Sequence, residues 1–235
     1  MLDSKFWDNY MRVFDIIGTM IPYKELISRV CEELDIKNNE LILDAGSGTG
    51  ILALEIKKRE GRVIGVDSSK EAIKIHKEKD KLAEVIFADL TKPLPFENNY
   101  FDKVICMLTL HSIKTTDRQA IIDEFYRVLK VGGKVVLANP CAGFNPSRIF
   151  LDHLKKDIKK SGLLKVLFNV IINVGYMLKM FYYNIMIERD NKKSEQGMLD
   201  IDEQKNLLEK AGFENLSKTE ILYAKSAILN SAYKK

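Results

Sequence analysis

Cysteine is scarce in this chain of 235 residues, with only Cys31, Cys106 and Cys141. Their odd number, and the placing of two of them in or beside apolar runs, argue against a disulfide framework. Free thiols in a reducing compartment, hence a cytoplasmic location, are the expectation. Histidine is equally sparse at three residues. No histidine and cysteine stand at ligand spacing, so neither a structural zinc site nor any other metal is expected. A large charge excess is also missing: the formal charge is +4 with 30% charged residues. That is an ordinary soluble surface without the concentrated basic face that general nucleic-acid binding needs, and no nucleic-acid partner is expected. There is no internal repeat and no low-complexity tract. The N-terminus, MLDSKFWDNYMRVFD, carries Asp3 and Asp8 and has no basic segment leading into a continuous apolar region. It does not read as a signal peptide.

What the chain does have is a focal stretch, LILDAGSGTG, at residues 41–50. An apolar run of strand character ends in Asp44, three glycines alternate with small residues, and helical spacing resumes at Ile51. Clustered glycines at such a junction permit backbone conformations closed to other residues and let a ligand approach closely. A nicotinamide fingerprint would put its third glycine one position later, where Ile51 stands. A P-loop would need Gly-Lys-Ser or Gly-Lys-Thr, which is absent.

From this turn the chain reads as alternating strands and helices. Strands are expected at 41–44, 62–67, 83–89, 102–110 and 134–140. Helices fall at about 50–60 and at 68–80, the latter capped by Ser68 or Ser69, and another begins at Asp117 and stops at Gly132 and Gly133. The first three strands each end in an acid: Asp44, Asp67 and Asp89. Asp67 lies about 20 residues beyond the first turn, where a carboxylate is placed to accept from ribose hydroxyls. His76, among charged neighbours, reads as surface. A last helix ends at Gly212, followed by two short extended stretches at 214–219 and 221–227. They are too close for a crossover helix, so at least one must run antiparallel. The expected fold is α/β: a Rossmann-like, doubly wound, mostly parallel seven-stranded sheet with an antiparallel C-terminal strand and a helical insertion.

A single domain over 1–235 is expected, divided into an N-terminal helical cover (1–37), a cofactor-binding core (38–143), a helical insertion or lid (144–198) and the C-terminal part of the core (199–235). Tyr10, Phe14 and Tyr23 in the cover either pack on the core or close over a ligand. The insertion joins a basic segment, HLKKDIKKSG, to a strongly apolar one, LLKVLFNVIINVGYMLKMFYYNIMI. Lys165, Asn169, Asn173, Lys179 and Asn184 interrupt it more than a membrane-crossing helix would prefer. Leu163, Val166, Val170, Val174, Met177 and Phe181 recur along one helical face. Tyr176 and Tyr183 help widen the apolar surface beyond one packing contact. A buried lid or homodimer contact, an apolar acceptor pocket, and peripheral membrane contact through 155–187 all remain open.

The spacing Asp44-x-Gly46-x-Gly48-x-Gly50, with Asp67, Asp89 and the 102–111 segment in register, resembles the class I S-adenosylmethionine-dependent methyltransferases, and within them the quinone and sterol methyltransferases. The resemblance covers residues 38–141 closely and 200–227 in outline. It implies S-adenosylmethionine as cofactor, S-adenosylhomocysteine as product, and a small hydrophobic acceptor. It implies that Gly46, Ser47, Gly48 and Gly50 pass under the methionine part, with Asp44 shaping the turn. Asp67, with Ser68 beside it, would take the ribose; Asp89 and Leu90 would meet the adenine. In this family the loop after the fourth strand faces the methyl group, which brings forward Thr109, Leu110, His111 and Ser112, with Leu108 before them as a candidate cofactor contact. His111 is the candidate general base, with a substrate contact or a structural hydrogen bond as its alternatives. Further candidate acceptor contacts are Tyr10, Phe14 and Tyr23 from the cover, Asn139 and Cys141 at the end of the fifth strand, and Tyr176 and Tyr183 from the insertion. A lipid-directed enzyme and a noncatalytic cofactor-binding scaffold are the rival readings.

Overall fold

A computed structural model describes residues 4–191 and 196–235. Asp3 and residues 192–195 of the insertion lie outside the described residues. Five strands run parallel: β1 (Leu41–Ala45), β2 (Arg62–Asp67), β3 (Glu84–Phe87), β4 (Phe101–Met107) and β5 (Leu129–Pro140), in the spatial order β3-β2-β1-β4-β5. The chain leaves β1 toward one edge and returns on its other side as β4, so the crevice above the carboxyl ends of these two strands is the switch point where ligands of open parallel sheets bind. Central strands covered on both faces need continuous apolar runs. Ile42, Leu43, Val104 and Ile105 accordingly have no exposed surface.

Helices α1 (Ser4–Phe14), α2 (Ile21–Leu34) and α3 (Ile51–Lys58) share a core with one face of the sheet; α5 (Thr115–Val128) and α8 (Glu203–Lys210) share a core with the other. Between β2 and β3 runs α4 (Lys70–Lys79), whose first turn is capped by Ser69 Oγ accepting from Ala72 N–H at 3.1 Å. His76 is not on the surface. It lies one turn beyond Ala72 on the buried face of α4, only 2% exposed, and its ring occupies the space a side chain at Gly50 would need.

Three expectations need correction. First, α5 begins at Thr115 and passes directly into β5 at Leu129. Gly132 and Gly133 lie inside the strand, beside the register shift between Phe101 and Lys103. Second, the two extended stretches expected at 214–219 and 221–227 are shorter than their bounds, and the second stops at Tyr223, Ala224 and Lys225, which all adopt left-handed backbone and make a turn. The long antiparallel strand is β8 (Ala227–Lys234), paired with β5 from Lys134↔Tyr233 to Pro140↔Ala227. Third, β6 (Phe213–Glu214) and β7 (Glu220–Leu222) both pair with the outer edge of β8, so the sheet has eight strands where seven were expected.

The insertion is a helical hairpin of α6 (Pro146–Ser161) and α7 (Leu163–Asn191), reversed at Gly162 with φ +83°. Asn145 caps α6 through Arg148 N–H at 2.9 Å. α6 packs against α2 and α7 against α1, so hairpin and N-terminal helices together roof the switch-point crevice.

Candidate functional site

The glycine turn is built by three left-handed residues, Gly46 (φ +82°), Gly48 (φ +52°) and Gly50 (φ +80°). A Cβ on Gly46 would collide with the Thr109 side chain, whereas one on Gly48 would meet nothing within 4 Å. The first glycine therefore lets the loop after β4 close in; the second leaves the mouth of the turn open. Asp67 holds the turn in shape. Its Oδ2 accepts from Gly48 N–H and its Oδ1 from Ser69 N–H, both at 2.8 Å. Burial raises its carboxyl above the usual range.

Asp44 is 2% exposed, and its Oδ2 is buried without a partner among the described residues. Burial, with the Asp67 charge added, pushes its carboxyl up to about 7. Two acids, one of them unsatisfied, form a site short of a cationic and hydrogen-donating partner. An S-adenosylmethionine molecule, with its ammonium and ribose hydroxyls, fits that deficit. At the next strand end, Asp89 Oδ1 accepts from Thr91 N–H (2.9 Å) and Thr91 Oγ1–H (2.8 Å). Asp89, Leu90 and Ser68 all line the cavity beside them, as does Phe87, whose ring is 56% exposed and which no local motif flagged.

The loop after β4 is held under strain. Leu108 sits at φ +54°, costly for a γ-branched residue, while Asn139 Oδ1 accepts from Thr109 N–H (2.8 Å) and Leu110 N–H (3.0 Å). Asn139 Nδ2 donates to Cys106 O and Gln204 Oε1. Behind the loop, fully buried Arg118 donates to Leu110 O (3.1 Å), Glu203 Oε1 (2.6 Å) and Gly197 O (2.6 Å). His111 lines the cavity with its Nδ1 buried and unpartnered among the described residues. Burial, and then the Arg118 charge, pull its imidazole down to about 4, so it is neutral at pH 7 with a lone pair available.

These features open into a cavity of about 1320 Å³. That exceeds the roughly 300–1,000 Å³ of a pocket for one small ligand, leaving room for two. Tyr10, Phe14, Tyr23, Thr109 and His111 line it, together with Leu108, Asp44, Gly46, Ser47 and Gly48. Four sequence-predicted acceptor residues are placed elsewhere. Asn139 has no exposed surface and clamps the loop from beneath, and Cys141 is buried against Ser226. Tyr183 packs edge-on against Phe6 (5.2 Å) and Tyr10 (6.0 Å), and Tyr176 points outward, 54% exposed. Gly50, expected at the cofactor, instead caps α3 with its back to His76. Sequence reasoning missed Trp7, His153 and Tyr223 as lining residues. Nothing local marks them; distant segments bring them together.

The N-terminal cover is tied to the turn by polar contacts. Thr49 Oγ1 donates to Asp15 Oδ1 (2.6 Å), and Lys79 bridges Asp15 and Thr49 O. Ser69 Oγ donates to Asp8 Oδ1 at 3.1 Å. Among the described residues, no cluster of histidine, cysteine and acidic side chains could hold a metal ion.

Comparison with known proteins agrees with this geometry. Residues 43–137 match a family described as a methyltransferase domain. The demethylmenaquinone methyltransferase of Oceanobacillus iheyensis is 29% identical over 140 residues, covering 55% of this chain and 58% of that one. That of Staphylococcus saprophyticus is 33% identical over 139 residues, with the same coverage. The match therefore spans well under two thirds of these relatives' own length. The structure of magnesium protoporphyrin IX methyltransferase from Synechocystis, solved with bound S-adenosylmethionine, superposes with a TM-score of 0.59 at 15% identity, over 92% of this chain and 81% of that one. Turn, strand-end acids, sheet order and matched segment agree: the fold is that of the class I S-adenosylmethionine-dependent methyltransferases, residues 43–137 match a methyltransferase domain, and the chain is similar over that part to the demethylmenaquinone methyltransferases.

Proposed function

We propose that the protein transfers a methyl group from S-adenosylmethionine to a small hydrophobic acceptor of the quinol type. The observation that carries this is one continuous cavity joining the acid-lined glycine turn to an aromatic and aliphatic chamber. When bound, the cofactor supplies a methyl group already activated on a sulfonium, so the chain has to bind, align and keep water out. Asp67 would accept from the ribose, Asp44 would offset the ammonium, and the glycine turn would let both approach. Tyr10, Phe14 and Tyr23 would exclude water, and neutral His111 would accept a hydrogen bond from the acceptor's hydroxyl, taking its proton only as a weak base while its imidazole is held near 4. Contact of residues 155–187 with the cytoplasmic face of a membrane is the second part of the reading, supported by the exposed apolar surface of α7. A homodimer through the same surface is its competitor.

The test is transfer of labelled methyl from S-adenosylmethionine to a demethylated, prenylated naphthoquinol in detergent micelles, read by mass spectrometry. A methylated quinol is expected. No transfer to it, with transfer to a small amine, would overturn the acceptor class; failure to bind S-adenosylhomocysteine would overturn the enzyme.

A further inference from the structure

A surface helix facing water turns its polar residues outward. α7 does the reverse. Asn169, Asn173 and Asn184 line the cavity, while Leu164, Phe168, Ile171 and Ile172 stand 84%, 62%, 70% and 60% exposed. Leu163–Ile187 is long and apolar enough to cross a membrane by length and composition, and only 11% of its most apolar window is buried. Crossing is ruled out by its other face, which lines the cavity and packs Met180, Tyr183 and Ile187 toward α1. The outer face is therefore suited to lying on an apolar medium.

Charge says which medium. Around the hairpin tip, Lys155, Lys159, Lys160 and Lys165 are exposed and have no carboxylate partner among the described residues. Ile158 and Leu163 stand between them, 40% and 56% exposed. Lysines interleaved with exposed aliphatics suit an interface with anionic lipid. In a two-fold dimer the same tip would meet itself, setting Lys155, Lys159, Lys160 and Lys165 against their own copies with Asp157 as the one acid in 155–165.

The rim of the cavity adds a route. Leu151 on α6 and Val174, Leu178 and Phe181 on α7 each line the cavity, yet are 54%, 47%, 64% and 51% exposed. An apolar threshold thus runs from the outer face of α7 into the chamber. The geometry points to a docking face for an anionic phospholipid bilayer along outer α7 and the 155–165 tip, with this rim as the gate through which the acceptor passes from lipid into the cavity. The docking face deepens the membrane contact proposed above by naming its lipid and its residues, and the gate rests on the proposed hydrophobic acceptor.

The experiment uses the full chain and vesicles of phosphatidylcholine with one quarter phosphatidylglycerol, against phosphatidylcholine alone. Flotation is expected to show binding to the anionic vesicles, weakening about fivefold for each of Lys159→Gln and Lys160→Gln. Leu164→Asp with Ile171→Asp should reduce partition by roughly tenfold or more. These variants should keep wild-type affinity for S-adenosylhomocysteine, which separates lost docking from lost folding. Trp7 is the single tryptophan and lines the cavity, so a prenylated naphthoquinone carried in the vesicles should quench it in wild type. In detergent the double variant should be quenched equally. Wild type that ignores anionic vesicles, or a double variant that binds them unchanged, would overturn the docking face. So would a stable dimer that the double variant dissociates. Docked wild type with unquenched Trp7 would overturn the gate, and absent S-adenosylhomocysteine binding alone would strike only the function proposed above.

Discussion

Asn139→Ala tests whether the loop after β4 is held by one side chain. Asn139 has no exposed surface, and its amide makes four hydrogen bonds: it accepts from Thr109 N–H and Leu110 N–H and donates to Cys106 O and Gln204 Oε1. Truncation leaves two backbone donors without their acceptor, at about 1–3 kcal/mol each. Release of Leu108 from its left-handed conformation returns about 1–3 kcal/mol. The net expected loss is about 1–3 kcal/mol, read as a shift in the urea midpoint at unchanged slope. Turnover should fall further than stability accounts for, because Thr109 and His111 ride on the released loop, while S-adenosylhomocysteine affinity, proposed to rest on Asp67 and the glycine turn, should change least. Asn139→Asp keeps the acceptor toward both N–H groups and should recover most of the loop's order but neither the contact to Cys106 O nor that to Gln204 Oε1. A midpoint for Asn139→Ala within about 0.5 kcal/mol of wild type would refute the clamp.

Asp67→Ala removes the acceptor that also fixes Gly48 N–H, and should weaken S-adenosylhomocysteine binding by about 2–3 kcal/mol; unchanged affinity in calorimetry would remove it from the site. His111→Gln should lower turnover at least tenfold with cofactor affinity intact if the imidazole takes the proton, and near-normal turnover with an unaltered pH profile would exclude that role. The buried imidazole of His76, like that of His111, is held down to about 4. Below pH 6.5 the unfolded chain binds these protons and the folded one does not, so stability falls as pH drops from 6.5 through about 4. Asp44, held up near 7, works in the opposite direction, binding its proton in the folded state first. Asp44→Asn removes that opposing contribution, and its stability should fall by about 3 kcal/mol more than wild type's between pH 6.5 and 4 in urea titrations. Parallel pH profiles would show that Asp44 is not perturbed.

The cofactor half of the site is legible in the sequence because its parts are local. A strand-to-helix turn that must take left-handed backbone requires glycine at 46 and 48, and an acid closing each of three successive strands is visible without knowing what lies opposite. The proposed acceptor half is not local. Tyr10, His153, Met177 and Tyr223 come from both ends of the chain and from two helices between, and only docking of the α6–α7 hairpin against α1 and α2 brings them to one wall. Asn139 was visible as a polar residue at a strand end, but strand alternation could not say that it faces the backbone of the β4 loop. His76 misled because its neighbours in sequence are charged; its neighbours one helical turn away are what bury it. The C-terminal strand was displaced because nothing local announces three left-handed residues at Tyr223, Ala224 and Lys225.

The sequence by itself determined the parallel α/β core, the glycine turn and the three acids around it, since backbone sterics and the apolar period of covered strands act over a few residues. It also determined that 163–187 is apolar enough to need a partner. Only the tertiary structure decided which side of that helix faces the cavity and which faces outward, because the period of α7 is apolar nearly all round and says nothing of direction. The hairpin packed on α1 and α2 turns the asparagines inward and the leucines out, and that orientation separates a face that lines the cavity from an exposed apolar one.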